Sequence, residues 1–200
     1  MNRNTMNGNA MMINANSMPS NMQMNGNSNM SEMSDMKSSP NAAAQPFDLQ
    51  FVDTMSMHHK SAVDMAKIAV QKASRPELKA FAQKIIDDQT REIAQMKDWR
   101  EKWFAGKPAA MNMEMSGMMD SMKMMMEGGM KKMEAAKGKD FDLHFLDMMT
   151  PHHAGAVTMS KEALTKAEHP EIKTLANQII KSQEAEIAQM NAWKTAWSKK

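Results

Sequence analysis

Two short stretches of the chain set thioethers and imidazoles at helical spacing: Met55 with His58 and His59, and Met149 with His152 and His153. Residues three and four apart share one face of a helix, so each methionine meets its histidines. Thioether sulfur is soft and uncharged. It suits Cu(I) or Ag(I) and is a poor ligand for Zn, Mg or Ca, while imidazole suits copper as well. If the chain folds back near residues 74–75, Met96 comes opposite Met55, and Gln89 and Glu92 come near His58. Met190 stands in the place of Met96 for the second stretch, with Met148 as an extra thioether. Met65 and Met159 lie on the same face as the histidines but roughly 10 Å along the axis, at ~1.5 Å per residue. They can serve a second site or fill irregular gaps in the core, as methionine does. Adjacent helix positions point about 100° apart, so the spacing leaves open which histidine of each pair binds. Glu92 and Glu186 are placed to hold an imidazole ring in orientation.

The elements that must position these side chains come from a duplication. Phe47–Phe104 aligns without a gap with Phe141–Ser198, and half of the aligned positions are identical. FDLQFVDTMSMHHKSAVDM matches FDLHFLDMMTPHHAGAVTM, and QTREIAQMKDWREKW matches QEAEIAQMNAWKTAW. Each repeat reads as two helices. Phe51, Met55, His58, Ala62, Met65 and Ala69 recur at helical spacing, and Phe81, Ile85, Gln89, Ile93, Met96, Trp99 and Trp103 do so after a break. The break falls at Ser74–Glu77 and again at His169–Glu171, where Pro76 and Pro170 suit the first turn of a new helix. Pro151 stands where the first repeat has Met57, and proline there predicts a helix start or kink just ahead of His152. One hairpin cannot bury its apolar stripe, but two can bury theirs against each other. The expected fold is all-α, a four-helix bundle with approximate two-fold symmetry. The four tryptophans read as hydrophobic clamps at the open ends of the hairpins, and His144 and His169 as histidines without a ligand role.

Two segments lie outside the repeats. Met1–Pro46 is nearly half Asn or Met and has no periodicity, which predicts disorder. Residues 105–140 form a connector, whose stretch Met111–Met133 holds eleven methionines. There Met118, Met119, Met122, Met125 and Met126 are spaced for a short helix that Gly128-Gly129 would end. Both segments lack the aliphatic company of a core, so they read as weak collectors of soft ions.

Composition narrows the function. The chain has 200 residues, 29 of them methionine, and none is cysteine, which excludes disulfides, thiolate metal sites and cysteine nucleophiles. A net charge of +2 gives no electrostatic case for nucleic acid or an anionic membrane. No apolar run approaches the ~18 residues of a membrane span. Met1–Ser20 lacks the apolar centre of a secretory signal, so the residues leave the export route open. No Ser/His/Asp arrangement or phosphate loop is present, and the expectation is binding without catalysis.

The pattern FDxxFxxxMxxHHxxAVxM followed by QxxEIxxM resembles a ferritin-like, Met/His-rich domain family long labelled of unknown function, to which bacterial periplasmic copper-binding proteins of the CopM type belong. The resemblance covers both repeats. It implies a ferritin-like four-helix bundle, copper or silver binding, a periplasmic or extracellular location and a role in copper resistance. Carried over position by position, it implies the metal ligands Met55, His58, His59, Met65 and Met96, then Met149, His152, His153, Met159 and Met190. The expected cargo is Cu(I), with Ag(I) as its analogue, and a copper transporter or copper-sensing protein is the expected onward partner. Met57 departs from the proline frequent in the motif. The competing reading is a non-covalent haem protein, since Met and His in a four-helix bundle can ligate haem iron axially. A di-iron oxidase needs Glu-x-x-His pairs, which this sequence lacks.

Overall fold

The structure, a computed structural model, describes residues 37–199. Residues 1–36, most of the segment expected to be disordered, lie outside the described residues. All regular structure among the described residues is helical: α1 (Phe47–Lys72), α2 (Pro76–Phe104), α3 (Met118–Met126), α4 (Gly129–Ala135), α5 (Gly138–Lys166) and α6 (Pro170–Trp197), after a 3-10 turn at Ala42–Ala44. The two expected hairpins are α1–α2 and α5–α6. The breaks between their helices arise where Arg75 and His169 are held extended ahead of Pro76 and Pro170.

Neither hairpin caps its own second helix. Asp142 accepts hydrogen bonds from Ser74 N (2.8 Å) and Ser74 Oγ (2.5 Å) at the start of α2. Asp48 accepts from Glu168 N (3.0 Å), His169 N (2.9 Å) and His169 Nδ1 (2.5 Å) at the start of α6. Asp48 and Asp142 occupy the same place in the two repeats. Each buried carboxylate satisfies the orphan N–H groups of the other repeat's turn and sits at the positive end of its helix dipole. The tryptophans do clamp the hairpins, and they too reach across. Trp103 stacks on His169 at 4.0 Å, and Trp197 lies under the Arg75 guanidinium at 4.4 Å. His169 thus has the structural role expected of it.

Three expectations are corrected. Pro151 does not start a helix: α5 runs through it from Gly138 to Lys166. Packing against α1, α3 and α6 holds the helix on both sides of the residue, outweighing the backbone hydrogen bond that proline removes. The connector, expected to lack the company of a core, is itself core. Met113, Met115, Met118, Met122, Met125, Met130 and Met133 are all buried in the main cluster, leaving Met119, at 52%, as the exposed large apolar side chain. Methionine is apolar and flexible enough to fill a core without aliphatic neighbours in sequence. Finally, the docked region begins before Pro46. Ser39 N donates to Met111 O (2.7 Å), Met113 N donates to Ser38 Oγ (2.9 Å), and Ala42 is buried.

The connector is fastened to α1 by its backbone. Ala110 N donates to Asp53 (2.8 Å), which Arg100 also holds, and Asn112 N donates to Thr54 Oγ1 (2.9 Å). It then rises onto α5. A Cβ on Gly117 would lie 2.6 Å from Gly155 O, and one on Gly155 would lie 2.4 Å from Ser121 Cβ. Only glycine permits this approach, and α3 lies directly on α5 because both residues are glycine.

Candidate metal centre

The two histidine pairs sit at the middle of the bundle, where α1 and α5 cross. His58 and His152 are equivalent in the repeats, and their rings face each other at 3.8 Å between centroids. His59 and His153 lie farther out, each 2.6 or 2.9 Å from a carboxylate: His59 Nε2 to Glu92 Oε2, and His153 Nε2 to Glu186 Oε2. All four imidazoles are buried. The expectation that Glu92 and Glu186 orient a ring holds, with the ring being that of His59 rather than the neighbouring His58. These bonds also fix the register of each hairpin. In an antiparallel pair, a His59–Glu92 level puts Met55 level with Met96, and His153–Glu186 puts Met149 level with Met190. Thr150 Oγ1, 3.8 Å from Met190 Sδ, shows the second of these levels directly. Met55, Met96, Met149 and Met190 are fully buried. So are Met65 and Met159, which stand in the apolar core further along α1 and α5.

The hydrogen bonds of the inner pair decide which ring nitrogen is bare. Ser121 Oγ gives its single proton to Met118 O (2.7 Å), so at 3.0 Å from His58 Nε2 it can only accept. Ser61 Oγ gives its proton to His58 O (2.7 Å) and lies 2.7 Å from His152 Nε2, where it also accepts. His58 and His152 therefore carry their proton on Nε2, an assignment made from the network. A carboxylate likewise takes Nε2–H from His59 and His153. In the neutral His58 and His152 rings Nδ1 is then an unprotonated lone pair, and the Nδ1 atoms of all four histidines are buried with no hydrogen-bond partner among the described residues. Burial, followed by the neighbouring histidines, holds the His58 and His152 rings well below the ordinary imidazole pKa, so both are neutral at pH 7. Burial raises the Glu186 carboxyl, but its bonds to His153 and Lys84 outweigh this and leave it lowered and ionised.

Sequence reasoning missed three groups. Ser61 and Ser121 set the tautomers, and Met122 comes into the cluster with its sulfur 3.8 Å from Ser61 Oγ. Ser61 has Gly155 as its repeat counterpart, so symmetry offers His58 no serine. Ser121, standing on Gly155, fills that place from α3. The glycine in the repeat alignment was the visible signal, but what packs on it was not. Among the described residues no three His, Asp or Glu side chains are grouped to hold a metal by themselves.

Fold and site together describe a duplicated Met/His helical bundle with four buried imidazole nitrogens that lack a hydrogen-bond partner. The chain belongs to the family described as "Domain of unknown function (DUF305)", whose model matches residues 2–99 and again 48–194. It is similar to CopM solved in the Cu(I)-bound form, with 39% identity and a TM-score of 0.62 over 76% of this chain and 97% of that one. CopM has also been solved in Ag-bound and Cu(II)-bound forms. A DUF305 fragment from Deinococcus radiodurans matches at 27% identity with a TM-score of 0.65, over 76% of this chain and 97% of that one. An uncharacterized protein of Acanthamoeba polyphaga mimivirus is 47% identical over 51 residues, which span 26% of this chain and about a third of that relative's length (34%).

Proposed function

We propose that this protein binds copper as Cu(I), with Ag(I) as an analogue, and sequesters it or passes it on in the bacterial envelope without catalysing a reaction. The observation that carries the reading is the set of four buried histidine Nδ1 atoms without a hydrogen-bond partner. A buried polar atom without a partner is costly to keep, by about 1–3 kcal/mol, and four in one symmetric cluster point to a ligand. Cu(I) is a soft acceptor that thioether and imidazole donors satisfy together. Met55, His58, His59 and Met96 would hold it in one repeat, and Met149, His152, His153 and Met190 in the other, with Met122 reaching the centre from the connector. Met65 and Met159, named by the family resemblance, sit further along the helices as core or as outlying ligands.

The residues of the chain do the preparatory work. His58 and His152 need lose no proton before binding, because burial keeps them neutral. Glu92 and Glu186 fix the outer rings with Nδ1 turned away from the carboxylate and raise its basicity. The buried thioethers exclude water, which favours the cuprous state. A haem reading fits less well: the rings of His58 and His152 touch, so a porphyrin between them would require α1 and α5 to part. Similarity to CopM in its copper-bound and silver-bound forms supports the choice of metal, and no helix among the described residues is long and apolar enough to cross a membrane. A periplasmic location, a role in copper resistance and transfer to a transporter or sensor are parts of the same proposal.

Anaerobic Cu(I) titration of the full chain against a competing chelator tests it. Tight Cu(I) binding that the His58/His59/His152/His153 quadruple alanine variant loses, with Zn(II) bound far more weakly, is expected. Equal or tighter Zn(II) binding would falsify the assignment.

A further inference from the structure

Five of the six histidines have a ring nitrogen engaged: His58 with Ser121, His59 with Glu92, His152 with Ser61, His153 with Glu186 and His169 with Asp48. His144, near the start of α5, makes no hydrogen bond or ion pair among the described residues. It lines a cavity of about 120 Å³ where α3, α4 and α5 meet, together with Met124, Met148, Glu127, Gly129 and Lys132. His144 and Met148 are four residues apart, so one helix face presents both to the cavity. Met148 is buried, whereas His144 and Met124 are partly exposed. Gly129, the first residue of α4, closes the third side. A Cβ there would lie 2.4 Å from Met124 O and 3.3 Å from the Met148 methyl carbon, so the small residue lets α4 settle onto both methionines.

These residues stand apart from the duplicated ligands. The first repeat has Gln50 and Thr54 where the second has His144 and Met148, and both are committed to the connector: Gln50 accepts from Asn112 Nδ2 (2.8 Å) and Thr54 accepts from Asn112 N. Met149, next to Met148, faces α6 and Met190, while Met148 points about 100° away toward α4. Two repeat positions with one structural role in the first half thus carry an unengaged imidazole and a thioether in the second.

We propose that Met124, His144 and Met148 form a separate soft-metal site that takes Cu(I) or Ag(I) at the bundle surface. The inference rests on the copper reading given above. Two thioethers and one imidazole match a monovalent soft ion, and the carboxylate of Glu127 offsets the charge of Lys132 at the rim. The partly open cavity gives solvent-borne ions direct access, which the buried centre does not have. The site is a place of first capture, filled and emptied faster than the centre.

The test is an Ag(I) titration of the full chain with 13C-methyl-labelled methionine, followed by NMR. The Met124 and Met148 methyl signals and the His144 ring signals are expected to shift, separately from those of Met55, Met96, Met149 and Met190. The Met124→Leu/His144→Gln/Met148→Leu variant should lose about one Ag(I) equivalent and leave the central methyl responses unchanged. If the Met124 and Met148 signals stay still while the central ones move, the surface site is wrong and the copper reading stands. If no methionine signal moves, both fall. The titration of the unaltered chain decides the matter even if the variant folds poorly.

Discussion

In the first repeat, His59 meets Glu92 at 2.6 Å, and no cation among the described residues bonds that carboxylate. In the second, His153 meets Glu186 at 2.9 Å, and Lys84 holds the other carboxylate oxygen at 2.8 Å. Lys84 comes from the first repeat, and its counterpart in the second is Gln178, which brings Glu92 no charge. The inner histidines differ in the same manner. His152 takes its acceptor from Ser61, within the duplicated unit, while His58 takes Ser121 from the connector because Gly155 replaces the matching serine. Duplication has kept the groups that would touch metal and left their supports to diverge. The difference teaches that a two-fold sequence does not make two equal sites: what stands behind the inner imidazoles, and behind Glu186, comes from outside their own hairpin.

The largest expected effect is shared by both halves. Burial depresses the pKa of His58 and His152, so the folded chain refuses protons that the unfolded chain accepts below pH about 6.5. Stability is full above that pH and falls as pH drops below it, with a slope approaching about 1.4 kcal/mol per pH unit for each histidine. Urea denaturation of the metal-free chain between pH 7.5 and pH 5 measures it. A flat profile would mean that the rings are hydrated in solution.

Next comes the serine–glycine exchange. Gly155→Ala drives a methyl into Ser121 and the Gly117 carbonyl, and should destabilise by about 3 kcal/mol. Ser61→Ala, at the matching position, leaves the His152 Nε2–H without an acceptor and should lose about 1–2 kcal/mol. Equal losses in urea denaturation would show that α3 does not bear on α5 as described.

The carboxylates are the third point. Glu92→Gln and Glu186→Gln should each weaken Cu(I) binding in their own repeat by about tenfold, read by chelator competition. Loss at both sites from either change would mean that the two halves share one centre through the touching His58 and His152 rings. The smallest effect belongs to Lys84. Its charge draws on Glu186 and so lowers the basicity of His153, and Lys84→Gln should tighten the second site by about threefold, with Gln178→Lys doing the reverse at the first. No change from either would place the inequality of the halves elsewhere.

Much of this was legible in the residues. The gapless repeat, the prolines at 76 and 170, and the helical spacing of Met55 and His58 define both hairpins and their register. Level positions on antiparallel helices then pair Met55 with Met96 and bring Glu92 to the histidines. The connector was not legible. Burial is usually read from mixed aliphatic residues, and Met111–Met133 has methionine alone, which packs equally well without announcing it. The tautomers were not legible either. They depend on Ser121, and nothing in the local sequence brings Ser121 to His58. Only the contact of Gly117 with Gly155 does so. Pro151 does not mark a helix start because α5 is packed on both sides of it.

The exchange of caps by Asp48 and Asp142 has a consequence for how such a molecule could arise. Each carboxylate serves only a turn belonging to the other hairpin, so a single hairpin leaves its own Asp idle and its own turn unsatisfied. Two identical hairpins, as separate chains, satisfy both clasps at once. The architecture is that of a symmetric homodimer written on one polypeptide, and the linker that fused the halves, once their apposition was secured by the clasps, was free to become the lid that now makes them different.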